Sequence, residues 1–281
     1  MSDQEDYPLN ITNRKVNQKE TELNSPTLFK GKANSVTIII TALNEEASIG
    51  KTYCAAKSAL TRLGIDHQII LINDGSQDRT MGIMDLIQAH DSQVQVFHHK
   101  TPQGIGFGYK KGIHHARKEY LMYLPGDDNF SEESIIKVLE LRGKADIVIP
   151  YHTNLKEVRD SVRASISGYY TTLLNWCFGL RVKYFNSIVL HKTSFLQALT
   201  IRSDKFTYQS EILIKLIKVY RCNFLHVGIL LDERSSGESK AISLSNFIDT
   251  VKFFFTLCIE VYSSMFVDRE GLPVVIKVEG N

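Results

Sequence analysis

The sequence predicts an α/β fold with a mostly parallel central sheet and helices on both faces. Its clearest strand is VTIIITAL (36–43), a nearly continuous apolar and β-branched run that suits a strand covered on both sides. Strand-like and helical segments then alternate up to residue 150, which favours right-handed βαβ units. A composition of 43% hydrophobic and 23% charged residues is ordinary for a globular chain of 281 residues.

The predicted elements follow one another closely in the first half of the chain. After the first strand, helical spacing runs from Ser48 to Leu63. Further strands are predicted at HQIILIN (67–73), VQVFH (94–98), YLMYL (120–124) and ADIVIP (145–150). The helices between them are predicted at 78–89, from the glycine-rich turn to about 116, and at 131–141. Beyond Tyr151 the alternation ends, with helices predicted at 158–178 and 210–220 and a strand at 223–231.

Four segments are expected along the chain. Residues 1–34 carry few large apolar side chains and are expected to form a flexible tail. Residues 35–150 form the alternating α/β half, and residues 151–243 form a second, mixed α+β half of the same domain. Residues 244–281 hold an amphipathic helix, whose apolar residues recur at i, i+3, i+4 and i+7, followed by a tail. This helix either packs on the core or lies on a membrane surface.

Charge and cysteine content exclude some classes of function. A net charge of +2 does not provide the basic field that non-specific nucleic-acid binding requires, so no nucleic-acid partner is expected. The four cysteines lack C-x-x-C spacing and are expected to be buried thiols in a reducing compartment. No secretory signal pattern is visible, so a cytoplasmic location is expected, or a peripheral one on the cytoplasmic membrane face if the C-terminal helix binds lipid. The oligomeric state is not predicted.

Two adjacent carboxylates, Asp127 and Asp128, follow the fourth predicted strand. Ligands of open α/β sheets bind outside the carboxyl ends of the strands. Polar or glycine-bearing loops are predicted there at 41–46, 73–76, 102–108 and 125–129. Neighbouring like charges raise each other's cost of ionisation, and a bound cation would offset that cost. The alternative is a solvated turn before a helix, whose dipole favours acidic residues.

Four motifs in order carry a resemblance to a known family. TALNEE (41–46) resembles a P-x-x-N-E-E element, and INDGSQD (72–78) resembles a D-D-G-S-x-D turn. QGIGFGYKKGIHHA (103–116) looks like G-x-G-x-A-x-x-x-G, and RSSGESK (234–240) resembles R-x-x-G-x-S-K. Together they resemble the family 2 glycosyltransferases of the GT-A fold, in particular the branch similar to dolichol-phosphate mannosyltransferases and polyprenyl-phosphate glycosyltransferases. The resemblance runs from about Val36 to Lys240.

The resemblance implies a fold and an activity. The fold would be the Rossmann-like GT-A type, with a nucleotide-sugar-binding half at 35–150 and an acceptor-side half at 151–243. The activity would be that of an inverting glycosyltransferase, which transfers a sugar from a UDP- or GDP-sugar to a lipid-linked phosphate or a glycan hydroxyl. A divalent Mg²⁺ or Mn²⁺ would neutralise the charge of the departing diphosphate.

The metal motif of the family, D-x-D, is not present literally. Pro125 stands where the first Asp is expected and Asp127 where the second is expected. An alternative register uses Asp127 and Asn129. The resemblance therefore implies Asp127 as the metal contact in either register, with Asp128 supporting it.

The same resemblance implies three sets of site residues. The nucleotide and donor set is Leu43, Asn44, Glu45, Asp74, Gly104, Gly106 and Asp127. The phosphate and acceptor set is Arg234, Lys240 and Arg163. The catalytic set is Asp127, Asp128 and Glu211, with Glu211 as the candidate general base. A polyprenyl phosphate acceptor is already an anion and would need no base.

Two other functions compete with this interpretation. The glycines at 104, 106 and 108 follow a strand and open a helix, as in an oxidoreductase that binds a dinucleotide of the NAD type. Their pattern, however, is G-x-G-x-G, and it follows the third strand rather than the first. A non-catalytic scaffold that binds a nucleotide sugar is the second alternative, motivated by Pro125 in the metal motif and by Asn73 where an Asp is common.

Overall fold

The computed structural model describes residues 35–158, 161–232 and 253–263. The predicted tail at 1–34, the first part of the predicted C-terminal helix (244–252), and the phosphate-contact candidates Arg234 and Lys240 lie outside the described residues.

Within the described residues, seven strands form one sheet. They are β1 (Ser35–Ala42), β2 (Asp66–Asn73), β3 (Val94–His98), β4 (Tyr120–Pro125), β5 (Ile147–His152), β6 (Leu190–Lys192) and β7 (Phe224–Ile229). The strand order is β3-β2-β1-β4-β6-β5-β7. Strand β6 is antiparallel to both of its neighbours, and the other pairs are parallel. The prediction of a mostly parallel α/β sheet is confirmed.

The helices form a layer on each face of the sheet. They are α1 (Ile49–Arg62), α2 (Thr80–His90), α3 (Ile105–His115), α4 (Glu132–Leu139), α5 (Leu155–Val158), α6 (Ser161–Phe178), α7 (Thr193–Ala198) and α8 (Tyr208–Ile214), which continues as one π-helical turn (Lys215–Val219). Residues 253–263 form a further helix, α9. Helices α1, α2 and α4 bury apolar side chains in one core, and α3, α6, α8 and α9 bury theirs in the other.

The alternation of side chains along β1 explains its continuous apolar sequence. Ile38 and Ile40 point into the first core, and Ile39 points into the second. All three side chains are fully buried, because a central parallel strand is covered by helices on both faces. In the register of the sheet, Thr41 of β1 pairs with Ile72 of β2 and with Pro125 of β4. The loops after these three strands therefore begin side by side.

The second half of the chain adds strands β6 and β7 to the sheet, and only β7 was predicted from the sequence. The predicted strand at 223–231 is β7, which pairs in parallel with β5. The predicted helix at 210–220 corresponds to α8 and the π-helical turn that follows it. Strand β6 was not predicted, because three residues are too few to show a period. It fills the space between β4 and β5.

Helix α9 packs on the core through part of its surface. Leu257 and Val261 are buried in the second core. Glu260 lies 2.9 Å from Lys215 Nζ and so ties the helix to the π-helical turn. In the described part of the chain, no helix combines the length and the apolar character needed to cross a membrane.

Candidate functional site

The loops after β1 and β2 are tied together by Asn44. Its backbone N–H donates to Ser76 Oγ at 2.9 Å, and its side-chain Oδ1 accepts from the Gln77 N–H at 2.8 Å. Asn44 has a φ of 57°, in the left-handed region that asparagine adopts more readily than most residues. Two predicted donor loops thus form one connected surface at the carboxyl edge of the sheet.

Leu43 and Glu45 flank Asn44 and lead into α1. Leu43 is half-buried. The Glu45 N–H donates to Thr80 Oγ1 at 2.8 Å, and its Oε2 accepts from Ser48 Oγ at 2.8 Å. The Glu45 carbonyl accepts from the Ile49 N–H at 2.9 Å, which begins the helix. Glu45 therefore has a structural role at the start of α1, and its predicted nucleoside contact stays a prediction.

Asp74 organises the glycine-rich loop after β3. Its carboxylate accepts from the N–H groups of Gln103 and Gly104, each at 2.9 Å. His99 Nδ1 lies 2.9 Å from Asp74 Oδ1, and both side chains are largely buried. A carboxylate held by backbone donors fixes the position of the loop that supplies them. Asp74 thus joins the β2 and β3 loops, and its predicted contact with the donor nucleotide stays a prediction.

Asn73, the departure from the family motif in the same turn, is also structural. Its Oδ1 accepts from the Ser76 N–H at 3.0 Å, and its Nδ2 lies 3.2 Å from His98 Nδ1. The side chain is 2% exposed. An amide oxygen can accept this turn bond as a carboxylate oxygen would, so Asn73 preserves the turn.

The glycines that open α3 face a distant loop. The N–H groups of Gly106 and Phe107 donate to the Asp204 carbonyl at 2.9 and 3.3 Å. Gly104 has a φ of 103°, and a Cβ on it would lie 2.5 Å from the same carbonyl oxygen. Dinucleotide-binding folds offer such helix N-terminal amides to a pyrophosphate. Here a carbonyl group takes two of them, which removes the basis of the oxidoreductase interpretation.

The close approach of this loop makes Gly106 intolerant of a side chain. We expect Gly106→Ala to lower the free energy of unfolding by about 1–3 kcal/mol, as overpacking does. The added Cβ would lie 2.6 Å from the Ser203 carbonyl oxygen and 2.8 Å from Asp204 C. Gly82→Ala in α2 is the matched control, because its Cβ would meet nothing within 4 Å, and it should stabilise by about 0.5–1 kcal/mol. Urea denaturation measures the free energy of unfolding of both variants. Equal changes in the two variants would contradict the close packing at Gly106.

A backbone kink shapes the acidic loop after β4. Asp128 has a φ of 58°, and its N–H donates to Thr52 Oγ1 at 3.1 Å. The kink brings Asn129 Nδ2 to Asp127 Oδ2 at 2.7 Å. The carboxylate of Asp128 lies 4.0 Å from Lys51 Nζ of α1. Asp127 and Asn129 thus come together, as in the alternative register of the metal motif, while Asp128 approaches α1.

Several oxygen atoms and acidic side chains lie close to the loop after β4. Asn129 Oδ1 is buried and has no hydrogen-bond partner among the described residues. The Asn129 carbonyl accepts from the Asp232 N–H at 2.9 Å, which brings the chain after β7 to the site. Desolvation raises the pKa of Asp232, and the charges of Asp128 and Glu133 add to this rise. An enclosed oxygen beside several acids is an environment suited to a hard cation.

The protein side chains alone do not complete a metal cage. Within the described residues, no group of three or more His, Cys, Asp or Glu side chains is placed to hold a metal ion. Asp127 and Asn129 nevertheless offer oxygen ligands of the kind that Mg²⁺ and Mn²⁺ accept. Mg²⁺ is commonly held by one or two carboxylates together with substrate phosphates, so the donor set fits an ion that binds with a phosphorylated ligand.

Three buried tyrosines that the sequence analysis did not identify lie beneath the loops. Tyr123 and Thr41 share a hydrogen bond of 3.0 Å between their hydroxyl groups, and the rings of Tyr109 and Tyr208 lie 5.4 and 5.9 Å from that of Tyr123. Burial raises the pKa of Tyr123 well above its usual value, and the nearby charge of Asp127 adds to the rise. A neutral tyrosine cluster therefore supports the acidic loop. In sequence these residues look like ordinary strand and helix aromatics.

Glu211 is fully buried behind the loop that covers α3. Its carboxylate accepts from the N–H groups of Arg202 and Ser203 at 3.0 and 2.9 Å. Lys215 Nζ lies 2.6 Å from Glu211 Oε1 and also pairs with Glu260 of α9. These contacts give the carboxylate a positioning role. The general-base role predicted for Glu211 stays a prediction.

The side chains of the three predicted acceptor residues lie outside the described part of the structure. Arg163 falls on α6, and its side chain lies outside the described part of the structure. Arg234 and Lys240 follow Asp232, the last described residue before the gap at 233–252. Asp232 is hydrogen-bonded to the acidic loop through Asn129. The RSSGESK motif begins two residues after Asp232, at Arg234.

Parts of the sequence are similar to known glycosyltransferases. A cholesterol galactosyltransferase of Borreliella burgdorferi is 32% identical over 111 residues, covering 40% of this chain and 30% of that protein. A dolichyl-phosphate β-glucosyltransferase of Trichomonas vaginalis is 26% identical over 152 residues, covering 50% of this chain and 45% of that protein. The matched stretches thus span less than half of the length of either relative.

Solved structures share the fold at low sequence identity. Glucosyl-3-phosphoglycerate synthase of Mycobacterium tuberculosis, in complex with Mg²⁺ and UDP, superposes with a TM-score of 0.60 at 14% identity, covering 89% of this chain and 84% of that one. Mannosyl-3-phosphoglycerate synthase of Rubrobacter xylanophilus gives 0.63 at 14% identity, covering 86% and 79%. The predicted GT-A type of α/β fold is thereby confirmed.

The family model described as glycosyl transferase family 2 matches residues 37–195, more than half of the 281-residue chain. The match runs from the first strand through the acidic loop to β6 and α7. On this match, the chain belongs to glycosyltransferase family 2.

Proposed function

We propose that the chain is an inverting glycosyltransferase that transfers a sugar from a UDP- or GDP-sugar to a lipid-linked phosphate or a glycan hydroxyl, with Mg²⁺ or Mn²⁺. The observation that carries the proposal is the pairing of Asp127 and Asn129 at the end of β4, in a chain of this family. The loops after β1 and β2 begin beside that pair, since their strands are in register with β4 or its neighbour β1.

Asp127 and Asn129 would hold the divalent ion, with Asp128 as a supporting charge. A bound ion neutralises the negative charge that develops on the departing diphosphate. The role of Asp127 is to present a carboxylate at a fixed position, and the bond from Asn129 Nδ2 maintains its orientation. The kink at Asp128 keeps the two side chains together. The mycobacterial enzyme of the same fold binds Mg²⁺ together with UDP, which supports the use of a divalent ion with a nucleotide but does not identify its ligands.

The donor nucleotide would lie over the linked loops that follow β1, β2 and β3. Asn44 and Asp74 hold these loops in place through their side chains. Leu43, Glu45 and the Gly104–Gly106 turn would then border the donor. Loops that are already held in their binding conformation reduce the conformational entropy lost when a ligand binds.

The acceptor is proposed to be lipid-linked or a glycan. Two of the curated relatives are named for lipid acceptors, cholesterol and dolichyl phosphate. Arg163, Arg234 and Lys240 would bind the acceptor or donor phosphate, because guanidinium and ammonium groups pair well with phosphate oxygens. A phosphate acceptor attacks the anomeric carbon as an anion, and a hydroxyl acceptor requires a base. The cytoplasmic location stays a prediction.

Isothermal titration with UDP and with GDP, each in Mn²⁺ and in EDTA, tests the proposal. We expect one nucleotide to bind in Mn²⁺ and its affinity to fall at least about tenfold in EDTA, since a metal contributes several kcal/mol. NAD⁺ serves as the control ligand and should not bind. Absence of binding by both nucleotides would contradict the proposal. Binding of a nucleotide sugar without turnover would support the non-catalytic scaffold instead.

A further inference from the structure

Two helices expose a set of large apolar side chains that the proposed reaction does not use. Trp176 and Tyr169 of α6 are 82% and 78% exposed, and Ile259 of α9 is 71% exposed. The full set, which we name the α6–α9 face, is Ile166, Tyr169, Leu173 and Trp176 of α6 with Phe255, Ile259 and Tyr262 of α9. In each helix the residues recur at intervals of three or four, so each set forms one stripe. Extended exposed apolar surface of this kind marks an interaction site.

The two stripes belong to helices that pack directly against each other. The Phe178 ring of α6 stacks on Tyr262 of α9 at a centroid distance of 6.2 Å, and it contacts Phe254 at 6.1 Å. The Tyr262 hydroxyl donates to the Cys177 carbonyl. The inward sides of both helices are buried in the second core through Leu174 and Leu257. The stripes therefore lie next to each other on the outer surface of one helical layer.

Described cationic side chains lie at the C-terminal end of α6, next to the α6–α9 face. Helix α6 contains no Asp or Glu. The acid of α9, Glu260, is turned toward Lys215 at 2.9 Å and Arg202 at 3.5 Å. Lys218 Nζ lies 3.4 Å from the Cβ position of Gly179, immediately after α6, and Arg181 close by in sequence is exposed. The apolar surface thus has cations beside one of its ends, and the acid of α9 is paired with Lys215 and Arg202.

We propose that the α6–α9 face docks on the surface of a bilayer that contains anionic phospholipid. Exposed Trp and Tyr side chains are favoured at the membrane interface, and the cations beside the face are complementary to anionic headgroups. A second copy of the chain fits less well, because a two-fold contact would bring the cations of both copies to one interface. No residue of the α6–α9 face belongs to the proposed donor set, so this docking is testable without nucleotide or sugar.

The lone tryptophan of the chain, Trp176, provides a direct reporter. The full chain is mixed with vesicles of phosphatidylcholine alone, or of phosphatidylcholine with phosphatidylglycerol. We expect a blue shift of Trp fluorescence with the mixed vesicles, and quenching when their lipids carry bromine in the acyl chains. Raised salt should weaken this binding, since the attraction between exposed charges is screened. Neither shift nor quenching with the mixed vesicles would overturn the proposal.

A double variant that retains the reporter tests the surface itself. Tyr169→Ser with Ile259→Ser should lower vesicle affinity at least about tenfold, because each side chain loses the benefit of apolar burial. Leu86→Ser is the matched control: Leu86 is 62% exposed on α2, in the opposite helical layer, and its loss should leave vesicle affinity unchanged.

Two further results would overturn the proposal. One is an equal loss of vesicle affinity in the Leu86→Ser control. The other is a wild-type dimer in sedimentation velocity that the double variant dissociates, which would assign the α6–α9 face to a second copy. All the variants are expected to fold, because the replaced side chains are mostly exposed. Thermal unfolding of each variant checks this.

Discussion

Replacing Asp127 by alanine is expected to abolish metal-dependent nucleotide binding and to reduce sugar transfer by at least about a hundredfold. The reason is that a metal that stabilises the leaving group contributes several kcal/mol, and each 1.36 kcal/mol is about a factor of ten in rate. Asp127 is 6% exposed and held by Asn129, so its carboxylate is already positioned before any ligand binds. Titration with the preferred nucleotide in Mn²⁺ measures the binding change. An unchanged affinity would contradict the assignment.

Neighbouring variants distinguish the two registers of the metal motif. Asn129→Ala removes the enclosed Oδ1 and the bond to Asp127, and we expect it to weaken Mn²⁺-dependent binding strongly. Asp128→Asn serves as the control, because asparagine tolerates the positive φ and the carboxylate lies toward Lys51. We expect less than about a tenfold effect from it, consistent with a supporting charge. The reverse order of effects would favour a site made of Asp127 and Asp128.

Replacing Glu211 by alanine is expected to lower the free energy of unfolding by about 3–5 kcal/mol, as breaking a buried ion pair does. The substitution would leave the N–H groups of Arg202 and Ser203 without their acceptor. Lys215, 5% exposed, would keep Glu260 as its remaining partner. Urea denaturation of the variant and of the wild type measures the difference. A loss below about 1 kcal/mol would contradict the positioning role.

Glu211→Gln separates the positioning role from general-base catalysis. Glutamine retains an acceptor for the loop amides but cannot accept a proton. For a positioning residue, we expect a moderate loss of stability and a pH–rate profile of unchanged shape. For a general base, transfer would fall by about 10²–10⁴ while stability stays close to that of the wild type, and the profile would change. Glu260→Gln provides the control, because it perturbs the same ion-pair network from α9.

The fold class was readable from local patterns. VTIIITAL, the central strand β1, has a continuous apolar run because both faces of a central parallel strand are covered. Alternation of strands and helices up to residue 150 placed the polar loops at one edge of the sheet, and Asp127 lies there at the end of β4. These features depend on residues close in sequence or on rules that hold for parallel sheets in general.

Other features depended on contacts that no local pattern contains. The glycines at 104 and 106 resembled part of a dinucleotide-binding motif. In the structure they pack against the backbone of Ser203 and Asp204, about a hundred residues further along the chain. Glu211 was predicted only as a candidate base, and the packing of α8 under residues 202–203 encloses its carboxylate. Strand β6 has only three residues and shows no period, and it is defined by its pairing with β4 and β5.

The sequence by itself determined the family resemblance, the parallel sheet and the presence of an acidic loop after β4, because side-chain period and polarity are local properties of the chain. The tertiary structure decided which acids and amides meet. The backbone kink at Asp128 pairs Asp127 with Asn129, and the packing of α9 on α6 brings two exposed stripes onto one surface. Such pairings depend on backbone conformation and on where distant segments come into contact. The spacing of residues along the chain predicts neither of these.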